Sequence, residues 1–245
     1  MDKLPVRRAS RFTDIWSVPR DLWRAEHALD AGELARARAL VGPLLERYPQ
    51  LTFVRKIAAE VLYASGDPLS AADLFDRVIQ RRPRDRASVI GLVAANAALD
   101  RSGDARTAAA LLPNDVDVRL ALAWSELVAL GGRRDAGARL VAELAGDPEL
   151  ARSREREAMH AALRAIAAAR EASDAGLRSA LADAERHAKA VRATDRAFVG
   201  YLRAIALREA GARDDAMTAF ADAIAGAPDS IGAALARRER AKLSG

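Results

Sequence analysis

Apolar and polar positions along this chain recur in a fixed order. A Gly is followed by an Ala five positions later, a large apolar residue four positions after that and a Pro eight positions further on, as in Gly66, Ala71, Phe75 and Pro83. The same order is found at Gly32, Ala37, Val41 and Pro49, at Gly131, Ala136, Leu140 and Pro148, and at Gly211, Ala216, Phe220 and Pro228. The first two sets lie 34 residues apart, a spacing typical of stacked helix pairs.

Each position in this pattern has a structural reason. The Gly supplies the left-handed residue that ends a first helix. The Ala lets two helices cross closely, and the large apolar residue lies one turn later on the same helix face. The Pro ends the second helix because it cannot continue one. The pattern therefore predicts antiparallel helix pairs, each closed by a Pro.

Two segments depart from the period. Gly103 marks a third turn, 37 residues after Gly66, and Pro113 limits the next helix to a short one over 105–112. This makes 86–116 a degenerate unit. Segment 149–194 has 12 residues more than a regular unit, so we expect two long helices there, over 149–172 and 176–193.

These spacings predict an all-α array of about six antiparallel helix pairs over residues 19–230. Residues 1–18 form a basic arm that we expect to be mobile, because chain ends are often loosely docked. Residues 231–245 are expected to form a capping helix and tail, since a terminal apolar face needs a covering element with a polar outer side.

Composition agrees with helices and limits the chemistry. Hydrophobic residues make up 51% of the chain and the chain contains no Cys, which excludes disulfides and thiolate sites. No apolar run approaches the roughly 18 residues of a membrane span, so we expect a cytoplasmic protein without a transmembrane segment. The net charge of +5 is concentrated near the two ends, and residues 21–228 are neutral overall.

The best-kept unit, 52–85, resembles the tetratricopeptide repeat family, which has an A-x3-F element and a late Pro, although the family's early W-x2-L-G-x2-Y element is poorly kept. The second-best unit is 197–230. The resemblance implies a right-handed α-solenoid whose first helices line a concave groove that binds partners. It maps that groove onto Leu22, Glu26, Lys56, Glu60, Tyr63, Ile90, Leu122, Ser125, Tyr201, Leu202, Ile205 and Arg208.

The middle of this mapped groove is small and apolar, with Ala94, Ala97 and Ala129. Such a surface suits an apolar helix or an extended segment of a partner protein, although these alanines are also explained by tight helix packing. The N-terminal arm offers a second surface, because Trp and Arg are favoured at binding interfaces. Its candidate residues are Arg7, Arg8, Arg11, Phe12 and Trp16.

Catalytic and metal-binding patterns are weak. Glu157 and His160 form a single E-x-x-H pair, whereas carboxylate-bridged di-iron bundles need two. The sequence contains no phosphate-binding Gly-rich loop and no G-x-S-x-G nucleophile turn. We therefore expect a non-enzymatic protein without a cofactor or a metal.

The sequence thus favours an interaction scaffold or adaptor that binds a helical or extended segment of another protein along the groove. One alternative is nucleic-acid binding, because Arg outnumbers Lys by 35 to 4 and Arg suits phosphate recognition. The neutral body of the chain argues against that alternative, since binding to a phosphate backbone needs clustered cations. Another alternative is a regulatory or self-assembling subunit, including a homo-oligomer.

Overall fold

The computed structural model describes residues 18–244, which form thirteen α-helices and no β-strand. The prediction of an all-α fold is confirmed. The helices are α1 (Val18–Asp30), α2 (Leu34–Arg47), α3 (Thr52–Ala64), α4 (Pro68–Ile79), α5 (Arg86–Ala98), α6 (Ser102–Ala109), α7 (Val116–Val128), α8 (Arg134–Leu144), α9 (Arg154–Arg170), α10 (Asp174–Ala188), α11 (Ala193–Glu209), α12 (Arg213–Gly226) and α13 (Ile231–Ser244). A short 3-10 turn, Leu150–Arg152, precedes α9.

The helices pack in a regular order along the chain. Each even-numbered helix contacts the odd-numbered helix before it and the one after it. Each odd-numbered helix also contacts the next odd-numbered helix, from α1 through to α13. The odd-numbered helices therefore form one continuous layer and the even-numbered helices a second, as in a solenoid-like array.

The turn from each odd-numbered helix to the next even-numbered one contains one residue with a positive φ angle. These residues are Gly32, Gly66, Asp100, Gly131, Ala172 and Gly211. The third turn is predicted at Gly103, but Gly103 lies inside α6 and Asp100 takes the left-handed conformation instead. Asp100 follows Gly66 by 34 residues, so the 34-residue period of the turns is kept although the residue at this turn is not Gly. Asp can replace Gly here because it tolerates the left-handed conformation better than most residues.

In the α7–α8 pair, the buried positions lie one residue later than the pattern predicts. Gly137 and Val141 are buried, whereas Ala136 and Leu140 are only partly covered. A β-carbon on Gly137 would lie 2.9 Å from the side chain of Leu127, so α8 crosses α7 very closely. The second residue of the Gly131–Gly132 turn accounts for the shift, because it lengthens the turn by one residue.

Local hydrogen bonds fix several helix starts. The carboxylate of Asp67 accepts from the backbone N–H of Ser70 at 3.1 Å, and that of Asp85 from Ser88 at 3.0 Å. Asp115 accepts from the backbone N–H groups of Asp117 and Val118. Such caps satisfy N–H groups that have no partner within the helix.

The long unit consists of two long helices, as predicted, with different ends. Helix α9 covers Arg154–Arg170 and not 149–172, because the 3-10 turn takes up the first residues. Helix α10 begins at Asp174 after the Ser173 side chain accepts from the backbone N–H of Gly176 at 3.3 Å, and it ends at Ala188. The 12 extra residues of segment 149–194 therefore lie partly in the two helices and partly in the segments that connect them to their neighbours.

The two ends of the array contact each other. The Arg192 guanidinium, before α11, lies 3.1 Å from the Asp30 carboxylate at the end of α1. Arg238 of α13 donates to the Ala98 carbonyl at 2.8 Å and lies 3.4 Å from the Asp100 carboxylate. These contacts join the C-terminal helices to turns in the N-terminal half.

Helix α13, where the sequence predicts a capping helix, also contacts parts of the array beyond the last pair. Ile231, Leu235 and Ala236 are buried in the same apolar cluster as residues of α7, α9 and α11. A β-carbon on Gly66 would lie 3.1 Å from the β-carbon of Ala234, so α13 also touches the turn after α3. The helix therefore connects the last pair to the first half of the array.

The left-handed turn residues give a direct stability test. Ala172 (φ 53°) holds an L side chain in a conformation that costs about 1 kcal/mol relative to Gly, so Ala172→Gly should raise the free energy of unfolding by about that amount. Gly211 (φ 80°) has open space where a β-carbon would lie, so Gly211→Ala should lower the free energy of unfolding by a similar amount through the backbone alone. Urea denaturation measures both, and two changes of the same sign would contradict this explanation.

Candidate functional site

The odd-numbered helices surround a cavity of about 610 Å³, within the range of about 300–1,000 Å³ typical of ligand sites. Residues of α1, α3, α5, α7, α9, α11 and α13, or residues directly before α9 and α11, line it. The lining comprises Leu29, Asp30, Glu60, Tyr63, Ala64, Ile90, Ala94, Asp117, Leu120, Ala121, Trp124, Ser153, Glu155, Arg156, Met159, Arg192, Thr194, Asp195, Phe198, Val199 and Ile231. We refer to this space as the central cavity.

Apolar and aromatic side chains form much of the cavity wall. Trp124 and Phe198 meet edge to face, with ring centroids 4.9 Å apart. Trp124 is almost fully buried, whereas Phe198 and Met159 are partly exposed. The indole N–H of Trp124 and the hydroxyl of Tyr201 are buried without a hydrogen-bond partner among residues 18–244. Phe198 and Met159 are thus among the apolar side chains that a molecule in the cavity can reach, together with the partly exposed Ile90 and Ala94.

The charged part of the cavity has more carboxylates than guanidinium groups. The carboxylates belong to Asp30, Glu60, Asp117, Glu155 and Asp195, and the guanidinium groups to Arg156 and Arg192. Arg156 donates two hydrogen bonds of 2.9 Å to Asp117. Arg192 lies 2.8 Å from Asp195 and 3.1 Å from Asp30. Both positive charges are therefore already paired.

Asp117 is the cavity carboxylate that pairs with two arginine side chains, Arg156 and Arg86. Burial acts to raise its pKa, but hydrogen bonds from Arg156 and Arg86 outweigh burial and lower the pKa. Arg86 also contacts Asp115, the capping residue of α7. This network joins α5, α7 and α9, so Asp117 serves mainly to hold helices together.

Glu60 differs from the other cavity carboxylates. It is partly buried on α3 and makes no hydrogen bond or ion pair with any residue in 18–244. Burial raises the pKa of Glu60 to about 7, an effect that Lys56 opposes and that Glu26, Asp85 and Asp30 increase. The Lys56 amine lies 3.4 Å from Asp85, so this neighbouring cation already has a partner.

The structure brings only part of the predicted groove together. Glu60, Tyr63 and Ile90 line the central cavity, and so does Ala94. The side chains of Leu22, Ser125, Tyr201, Leu202 and Ile205 are buried in the core and are not available to a partner.

The remaining predicted groove residues lie elsewhere. Glu26 is exposed, Lys56 is paired with Asp85, and Leu122 packs against a separate apolar cluster. Arg208 contacts the carboxylates of Glu209 and Glu239. Arg7, Arg8, Arg11, Phe12 and Trp16 lie outside the described residues.

Sequence reasoning missed the cavity residues at the starts of α9 and α11. The cavity is lined by the last turn of α1 but by the first turns of α9 and α11, so the accessible position moves along successive helices. Mapping by a constant distance from the turn Gly therefore selects Tyr201 and Ile205, one to two turns too late. The charged residues at the starts of α9 and α11 were the sequence feature that could have indicated these cavity positions. Acidic residues are common in the first turn of any helix, so this feature does not distinguish a cavity.

The E-x-x-H pair of α9 is used structurally. His160 is buried and its Nε2 lies 2.8 Å from the Val141 carbonyl, to which it donates. Burial lowers the pKa of His160. Glu157 lies 3.2 Å from His187 of α10. Within residues 18–244, His and carboxylate side chains form no group that could hold a metal ion.

Among the thirteen helices, none is both long and apolar enough to cross a membrane. Neither a scan against protein-family models nor a search of curated proteins finds a match for this chain.

Glu60 predicts a pH-dependent stability difference. Its pKa in the folded protein, about 7, exceeds the unfolded value of 4.5, so the ionised carboxylate destabilises the fold progressively as the pH rises between these values. Glu60→Gln should therefore raise the free energy of unfolding at pH 8 by about 1 kcal/mol, allowing for partial exposure, and leave it unchanged at pH 4. Urea denaturation at both pH values measures this difference.

Glu155→Gln is the matched control in the same cavity. A hydrogen bond from Ser153 lowers the pKa of Glu155, so its ionised form stabilises the fold and the substitution should lower stability at pH 8. An equal effect of Glu60→Gln at pH 4 and pH 8 would contradict the assignment.

Proposed function

We propose that this protein is a non-catalytic binding module that takes a segment of another protein into the central cavity. The observation that carries the proposal is the convergence of seven consecutive odd-numbered helices on one cavity with an accessible apolar wall and a charged rim. Solenoid-like arrays commonly use the inner helix layer for binding. The right-handed tetratricopeptide architecture remains part of this proposal.

The cavity's size favours an extended segment over a long helix. A helix with its side chains is about 10–12 Å across, so about one turn would fill 610 Å³. An extended segment places a few side chains in the same volume. The excess of carboxylates opposes phosphate groups, so we do not propose a nucleic acid as the occupant.

A cavity-filling substitution tests this function. Ala94 is partly exposed on the cavity wall, so Ala94→Trp should occupy the space that the segment needs. Peptides selected on the unmodified protein from a random display library should bind Ala94→Trp at least tenfold more weakly, as measured by isothermal titration calorimetry.

Ala142→Trp provides the matched control, because Ala142 is exposed on α8 and does not line the cavity. This variant should bind the selected peptides as the unmodified protein does. Circular dichroism checks that both variants are folded. Selected peptides that bind Ala94→Trp with unchanged affinity would place the binding surface elsewhere and refute the proposal.

A further inference from the structure

We propose that the segment bound in the central cavity carries a cationic side chain that pairs with Glu60, while apolar side chains beside it contact Met159 and Phe198. This inference rests on the proposed function and adds the chemistry of the occupant. It follows from the way in which the cavity's charges are paired, from the position of Glu60 and from the aromatic wall.

The pairing of charges leaves one carboxylate without a partner. Arg156 and Arg192 are held by Asp117, Asp195 and Asp30. Glu155 accepts a hydrogen bond of 2.6 Å from the Ser153 hydroxyl. Glu60 is the cavity carboxylate that has neither an ion pair nor a hydrogen bond within residues 18–244. The cavity therefore has an excess of negative charge with an unfilled position for a cation.

The charges near Glu60 reinforce this preference. Glu26 and Asp30 of α1 and Asp85 before α5 all act on Glu60 as negative charges. Lys56, one turn earlier on α3, opposes these carboxylates but pairs with Asp85 at 3.4 Å and not with Glu60. A cation from the occupant would therefore supply the partner that Glu60 lacks within residues 18–244.

The aromatic wall suits the same ligand. Phe198 is partly exposed in the cavity, and a guanidinium or ammonium group is attracted to the face of an aromatic ring. Met159 adds a flexible apolar surface that adapts to varied side chains. Arginine combines a charged head with an apolar stem, so its side chain matches both parts of the cavity.

Two libraries of capped tetrapeptides test the inference with the full chain. One position is Arg in the first library and citrulline in the second, and the other positions are drawn from Leu, Met, Phe and Trp. Citrulline has nearly the same shape as Arg but no charge, so the comparison isolates the cation. At pH 8 the best Arg peptides should bind about tenfold more tightly than their citrulline counterparts, as expected for a hydrogen bond between charged groups.

Glu60→Gln should reduce this preference to less than twofold, and Glu171→Gln, at an exposed site outside the cavity, should retain it. Lowering the pH from 8 to 5.5 should also weaken the preference, because Glu60 is then mostly protonated. Calorimetry in two buffers near pH 7 should detect proton release when an Arg peptide binds, and this release should be absent in Glu60→Gln.

The outcomes separate this inference from the proposed function. Equal binding of Arg and citrulline peptides would overturn the cationic contact while leaving cavity binding intact. Failure of both libraries to bind would overturn both. A synthetic peptide of residues 1–17 is included as a competitor. If it displaces the Arg peptides from the cavity, the occupant is the chain's own segment, and the partner proposal is overturned.

Discussion

The contact between the two ends of the array determines the shape of the central cavity. An open helical array presents a long groove, but here Arg192 meets Asp30 and α13 touches the turn at Gly66. Exposed ion pairs contribute little stability, so the buried apolar face of α13, which holds this helix against α7, α9 and α11 beside Gly66, contributes more to this arrangement than the Arg192–Asp30 pair. The inner layer of helices therefore lines a central cavity that is partly open to solvent.

This geometry divides the charged residues into two groups. Asp117 and Arg156 join neighbouring odd-numbered helices and are satisfied within the protein. Glu60 is satisfied by nothing in the described chain, and its burial raises its pKa to about 7. Buried charge without a partner is costly, and such residues are concentrated at functional sites. The same cavity therefore contains carboxylates that hold helices together and one, Glu60, that has no hydrogen-bond or ion-pair partner within residues 18–244.

The sequence predicts the helix class and much of the helix order because these depend on local chemistry. Gly66, Ala71 and Phe75 act within one helix pair, and their spacing identifies that pair. Asp100 and Ala172 escape the same reasoning, since each takes the left-handed conformation within a helix-ending turn closed by backbone hydrogen bonds, where Gly is the usual signal. The cavity is harder to predict because its lining moves along successive helices, from the end of α1 to the starts of α9 and α11. Choosing the same repeat position on every odd-numbered helix therefore finds the cavity residue Glu60 on α3. On α11 the same choice gives Tyr201, which is buried in the core and does not line the cavity.

In the proposed function, the ionised form of Glu60 also couples the stability of the fold to ligand binding. At neutral pH the unpaired carboxylate lowers the stability of the folded chain, and a cation placed beside it removes that penalty. A ligand that binds only the folded state stabilises it by mass action, and relief of an electrostatic penalty makes this binding stronger. Replacing Glu60 with an uncharged side chain would gain stability and lose the recognition of a cation. In the proposed function, Glu60 thus illustrates a general constraint on binding sites, in which a group that selects a ligand makes the folded protein less stable while the ligand is absent.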